Sequence, residues 1–237
     1  MTLNLSTHLL SILLLFSCSS QQEKISNQAI GDHLIQKTVT SLKSAQGQVY
    51  LKNINRHGLD NLLKFWVPQR KSFCGVCSAV ITANTLNNES TFNQKNFFTP
   101  QVNEIIKAPT VTKMGLTLRE LKETLSHLEP KLRTEKFYAH TSGLDLFKSH
   151  LKKWNHQQNM IIVNFSRKSI AGSGMYSGHF SIVAGYDQKN RQVLILEVNG
   201  DKESFWISDR DLFTAMLAID PVSRIPRGWA TVSRMKN

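Results

Sequence analysis

The chain has 237 residues, 41% of them apolar, with 12 Gly and 6 Pro. That composition and length suit a globular protein with a sizeable core and exclude a disordered chain. Against 17 Asp and Glu stand 29 Lys and Arg, a formal net charge of +12, but they come in ones and twos such as Arg70–Lys71, Lys152–Lys153 and Arg167–Lys168. With no basic run and no aromatic-basic signature, a solvated basic surface is expected rather than a nucleic-acid site.

Leu9 to Phe16 reads LLSILLLF, an apolar block far shorter than the roughly 20 residues a membrane-spanning helix needs. It runs into Leu15-Phe16-Ser17-Cys18 and then a polar Ser19-Ser20-Gln21-Gln22, an exported-protein leader in which the Leu-x-Ser-Cys ending resembles a bacterial lipobox. No Lys or Arg occurs from Met1 to His8, and a buried N-terminal helix is the alternative. The expected division is a lipoprotein-type signal at 1–17, a polar tether at 18–47 and a single domain at 48–237, exported to a bacterial periplasm and lipid-anchored at Cys18. Lipid on Cys18 would leave Cys74 and Cys77, too few for a disulfide framework.

Cys74 to Leu86 carries apolar or small residues at helical spacing behind the polar Pro68–Ser72. Thr117-Leu-Arg-Glu120 is a capping box opening a helix over Leu118 to Leu128, and Ser142-Gly-Leu-Asp145 opens another to about Trp154. Met160 to Phe165 is a buried strand; His179–Tyr186 and Gln192–Val198 form a hairpin across Asp187–Asn190. Ser204–Ile207 is a further strand, Ser208-Asp-Arg-Asp211 caps a last helix to about Ile219, and Gly228–Val232 closes the sheet. Helices followed by an antiparallel sheet make an α+β fold.

Cys74 stands in the first turn of its helix, where the dipole and the unpaired N–H groups favour thiolate and can hold an oxyanion. A small buried cysteine is the alternative. His179 follows Gly172-Ser-Gly-Met-Tyr-Ser-Gly178 and begins a strand, so it is the candidate base. A tight turn centred near Gln188 pairs His179 with Glu197, Ser181 with Ile195 and Val183 with Val193. Glu197 would then orient the imidazole, giving a nucleophile–base–carboxylate set, provided no bulge interrupts the ladder.

Several motifs in order resemble the phytochelatin synthase family: Phe73-Cys74-Gly75-Val76 with Ala83-Asn84-Thr85-Leu86, Gly115-Leu-Thr-Leu118, Val163-Asn-Phe-x-Arg167-Lys168, Gly178-His-Phe-Ser181, Leu194-Ile-Leu-Glu-Val198, and Asp220 to Trp229 with Ser223 and Arg227-Gly228. The likeness runs from about residue 60 to the C-terminus. It implies a papain-like cysteine protease fold, with a helical half carrying the nucleophile and an antiparallel-sheet half. It also implies acyl transfer in which Cys74 takes γ-glutamylcysteine from glutathione, releasing glycine, and passes it to a second glutathione or to water. Cys74, His179, Glu197 and Gln69 are the expected catalytic residues; Gly75, Arg167, Lys168 and Gly178 are expected at the substrate. No cofactor is expected for the chemistry, no resident metal site, and cadmium or zinc would enter as a metal-thiolate co-substrate in a heavy-metal response. Expected partners are glutathione or a related γ-glutamyl peptide and, in a dimer, a second copy of the chain.

Three departures stand out. The family's acid is Asp, here Glu197. Its oxyanion Gln lies six residues before the nucleophile, where this chain has Pro68; Gln69 stands five before and takes the role only with a loop one residue shorter. Asn199–Ser204 replaces the family's Arg, aromatic, Lys and Pro-Pro after the acid. Two other readings stay open. Cys74-Gly-Val-Cys77 is also a C-x-x-C at a helix start, as in thioredoxin-like proteins, although the polar Pro68–Ser72 replaces the strand such a motif follows. A lipoprotein that only binds peptides or metal is the other.

Overall fold

In the computed structural model, residues 39–154, 158–171 and 178–235 are described. The signal, the lipobox at Cys18, most of the tether and the glycine run at 172–177 lie outside them. Among the described residues, seven strands form one antiparallel sheet: β1 (Thr40–Ser41), β2 (Leu132–Tyr138), β3 (Asn159–Ser166), β4 (Gly178–Asp187), β5 (Gln192–Leu196), β6 (Phe205–Ser208) and β7 (Gly228–Arg234), in the order β1-β6-β5-β4-β3-β7-β2. No helix of the described residues is long and apolar enough to cross a membrane.

The helix Cys74–Asn87 is buried from Gly75 to Leu86, its small residues Gly75, Ser78, Ala79 and Ala83 giving it close neighbours all round. It packs on β4 and β3. Helix Leu118–Leu128 carries the expected capping box, with Thr117 accepting from the Glu120 N–H and Glu120 accepting from the Thr117 N–H, and it leans on β2. The opposite face is covered by helices Leu144–Lys153 and Asp209–Met216: Phe147, His150 and Phe213 gather around Trp229 of β7, whose indole donates to His150 Nδ1 at 2.9 Å. Helices packed on both faces of one antiparallel sheet make the α+β layout the sequence implies.

Several boundaries differ, each for a local reason. Residues 40–47 of the expected tether are folded: Thr40 and Ser41 pair with Trp206 and Phe205, and Ser44 caps the helix Ala45–Leu51. Ser142 ends a short helix (Ala139–Ser142), and the next begins after Gly143, whose φ of 78° interrupts the two. The last helix stops at Met216, and the chain after it pairs back on Ile225–Arg227: Arg227 N–H donates to Ala218 O, Asp220 N–H to Ile225 O, and Arg227 Nη1 to the carbonyls of Ala218 and Ile219.

The hairpin register is corrected. The loop covers Gln188–Arg191, with Arg191 at φ 56° and the Asp187 carboxylate accepting from the Asn190 N–H. The ladder therefore pairs Val183 with Ile195 and Ile182 with Leu196, and a bulge falls between Val183 and Gly185. Gly185 leaves room there for Ile54, which any Cβ would strike. Near the site this is a slip of two positions, not one. An even slip preserves the face, so Glu197 stays on the His179 side of the ribbon, now level with Ser181.

Candidate active site

Cys74 opens its helix behind Phe73, which offers no side-chain cap, so the first-turn N–H groups are not claimed by one. Its side chain is hydrogen-bonded to His179 and receives backbone N–H groups of Phe180 and Gly75. Burial by itself would raise the Cys74 thiol; the His179 bond, the imidazole charge and the two backbone donors overcome it and hold the thiol below its ordinary value. The reverse holds at the partner. Burial would depress His179, but Cys74 and Glu197 bind its charged form and raise it. Thiolate and imidazolium thus stabilise one another.

His179 Nε2 lies 2.8 Å from Glu197 Oε1, which leaves Nδ1 as the nitrogen for the sulfur. Phe165, directly across the ladder, meets the imidazole edge-on at 5.6 Å and fixes its plane. Glu197 sits one residue past β5. Its amide donates to Ser204 Oγ, its Oε1 accepts from the Asn199 N–H at 2.8 Å, and the Trp66 indole donates to its carbonyl at 3.0 Å. Burial would lift the carboxyl; His179 first, then Arg167 and the Asn199 N–H, hold it below the usual range.

Arg167 follows β3 and reaches the same carboxylate, Nη2 standing 2.8 Å from each Glu197 oxygen and 2.8 Å from His179 Nε2. A guanidinium only donates. With the proton on Nε2, arginine and histidine are two donors converging on one carboxylate. Arg167, expected at a substrate carboxylate, is thus engaged by Glu197, while Lys168 beside it is exposed.

The sequence pattern of the phytochelatin synthase family matches residues 30–229. The chain belongs to the phytochelatin synthase family. The Schizosaccharomyces pombe protein named glutathione gamma-glutamylcysteinyltransferase is 29% identical over 127 residues, 53% of this chain and 30% of its own length. Glutathione gamma-glutamylcysteinyltransferase 2 of Arabidopsis thaliana is 26% identical over 184 residues, 75% of this chain and 40% of its own. The chain thus spans well under half of these curated relatives. Among solved structures, the peptidase domain of Streptococcus ComA, a bifunctional ABC transporter of a quorum-sensing pathway, is similar at 15% identity and a TM-score of 0.44, covering 71% of this chain and 97% of that one.

The phytochelatin synthase motifs are used as follows. Gly75 is buried, and a Cβ there would come within 3.0 Å of Leu116 and 3.2 Å of Phe180, so the glycine sets how closely the nucleophile helix meets β4. The closing Asp…Ser…Arg-Gly motif folds a compact turn in which Ser223 donates to Asp220 at 2.9 Å. That turn lays Arg227 against Gly178, where a Cβ would stand 2.9 Å from Nη2. Gln69 is tied in by its backbone, whose N–H donates to Val198 O at 2.7 Å, while its buried Oε1 has no partner among the described residues. The loop from Gln69 to Cys74 is compact: Phe73 N–H closes on Arg70 O at 3.0 Å, with Ser72 left-handed at φ 66°.

Cys77 lies one turn inside the same helix, fully buried, its Sγ donating to Val67 O at 3.3 Å. Burial, with the Cys74 and Glu197 charges adding, pushes this thiol up to about 12. Both cysteines are free. No strand leads into the Cys74 helix, and a thiol so reluctant to ionise is a poor resolving partner. Sequence reasoning missed Trp66, Asn199 and Ser204. The one signal for them was the acid's extra methylene, which demands new partners for a longer carboxylate.

Proposed function

We propose that this chain is a cysteine-dependent acyltransferase of glutathione, with Cys74 as nucleophile, His179 as base and acid, and Glu197 as orienting carboxylate. The observation that carries the reading is the buried Cys74–His179–Glu197 relay, with the thiol lowered and the imidazole raised. The thiolate attacks the carbonyl of the Cys–Gly amide. The developing oxyanion meets the backbone N–H groups at the start of the Cys74 helix, with the Gln69 side chain as a further candidate donor. Imidazolium gives its proton to the glycine nitrogen, the C–N bond breaks, free glycine leaves, and γ-glutamylcysteine remains as a thioester on Cys74. The amine of a second glutathione, or water, then loses a proton to the imidazole, attacks the thioester and restores the thiolate. Cadmium or zinc enters on the acceptor, as a metal-bound glutathione thiolate, and the basic surface favours these anionic substrates.

The test is to incubate the protein with glutathione and measure free glycine, then identify the products by mass spectrometry with and without cadmium or zinc. Glycine release by the native chain, lost in Cys74→Ser, is the expected result; cleavage of no γ-glutamyl peptide amide ends this reading. Transfer products that grow with metal establish the metal-thiolate acceptor. For the N-terminus we propose export and acylation at Cys18, which labelled palmitate incorporation, lost in Cys18→Ser, would establish.

A further inference from the structure

A groove of about 410 Å³ has Arg70, Phe73, Lys95, Phe98, Pro109 and Thr112 among its walls, Phe73 being the residue before Cys74. Two cations and two aromatic rings line it, and no carboxylate does. Arg70 is held in place. Its guanidinium lies 5.4 Å over the Phe73 ring, which meets Phe98 edge-on at 5.7 Å. A single side chain ties the groove to the catalytic loop: the Gln94 amide donates to Pro68 O at 2.9 Å and accepts from the Arg70 N–H at 2.8 Å. The wall bearing Arg70 is thus fixed to the segment that carries Gln69 and ends at Cys74.

On the sheet side of the site, two arginines are already committed. Arg167 is bound to Glu197, and Arg227 is bound to the carbonyls of Ala218 and Ile219. Arg70 and Lys95 make no ion pair among the described residues. Two unpaired cations facing one groove, one wall of which is the residue before Cys74, are a site for an anion, and a planar guanidinium held on an aromatic ring is preorganised for a carboxylate.

We infer that this groove is a subsite for a free carboxylate of the peptide substrate, held by Arg70 and Lys95. The inference rests on the proposed activity for the substrate's identity, but binding tests it apart from turnover. Glutathione has two carboxylates, one on glycine and one on the γ-glutamyl residue, and either can be removed chemically. The experiment measures dissociation constants by calorimetry on the full chain carrying Cys74→Ala, with Arg70 and Lys95 intact, replaced together as R70Q/K95Q, or exchanged as R70K/K95R. The ligands are glutathione, its glycyl ethyl ester, and 4-aminobutanoyl-cysteinyl-glycine, which lacks the glutamyl carboxylate.

The double replacement weakens glutathione about tenfold or more, the scale of a lost charge-assisted bond. The conservative exchange recovers most of that loss, and one of the two analogues is insensitive to the double replacement. Whichever analogue is insensitive names the carboxylate that the groove holds. Equal losses for all three ligands, unchanged glutathione affinity in R70Q/K95Q, or no glutathione binding at all would overturn the assignment. If the pattern holds while the native protein releases no glycine, the activity falls and the carboxylate site stands.

Discussion

Replacing Glu197 by Gln keeps the shape of the acid and removes its charge. In the native site the carboxylate accepts from His179, Arg167 and the Asn199 N–H. A Gln oxygen can still accept from His179, but its amide nitrogen then faces the Arg167 guanidinium, donor against donor. Counting only the charge-assisted bond to His179, the loss is about 1.5–3 kcal/mol. At 1.4 kcal/mol per decade, acyl-enzyme formation slows about 10- to 100-fold. The thiol responds as well. Glu197 raises His179, and His179 lowers Cys74, so E197Q drops the imidazole and lifts the thiol, narrowing from both sides the pH window in which thiolate and imidazolium coexist. The assay is the pH profile of iodoacetamide alkylation in a Cys18→Ser background, where buried Cys77 stays protonated and silent, read beside glycine release from glutathione. The acid limb of alkylation moves to higher pH in E197Q. A native alkylation profile together with native glycine release would refute the relay.

Other substitutions give independent checks. Cys77→Ala removes a thiol that is buried in the core and bonded to Val67 O, so glycine release persists and insulin disulfides remain unreduced; loss of turnover in a folded C77A would restore the redox reading. Gly75→Ala pushes a methyl into Leu116 and Phe180, costing about 1–3 kcal/mol of stability by overpacking, read as a lower urea midpoint, and it displaces the sulfur enough to depress turnover further than the stability loss explains. Tyr186→Phe removes the donor to buried Asp209 at 2.9 Å and leaves that carboxylate with Arg191 alone; a loss of about 1 kcal/mol in urea denaturation is expected with glycine release unaltered.

Much of this site was readable in the chain because each main participant sits at an element boundary with a physical signature. Cys74 follows a polar loop and precedes small residues, His179 stands at the start of a strand, and Glu197 lies just past the end of the next one. The hairpin illustrates the limit. Counting residues across a turn assumes a uniform ladder, and neither the bulge at Ala184 nor the left-handed Arg191 has a mark that alternation alone reveals. The acid survived that miscount only through parity. Arg167 was legible as a cation near the His loop, but not its partner: the choice between a substrate carboxylate and Glu197 depends on where the end of β3 lies relative to the end of β5, a distance set by two intervening pairings. Strand β2, at the sheet edge, and the short helices Pro100–Ile105 and Ala108–Met114 carry patterns too brief to separate from loop.

The bonds from Trp66 and Gln69 to the carbonyls of Glu197 and Val198 join the approach to the nucleophile with a stretch of chain made much later. During synthesis Cys74 therefore emerges as an ordinary thiol, since each lowering influence on it other than its own neighbour Gly75 comes from His179 and Phe180. Reactivity switches on only when the C-terminal sheet docks. A nascent or truncated chain therefore carries no activated thiol, and the appearance of a fast-alkylating cysteine becomes a direct clock for the completion of folding.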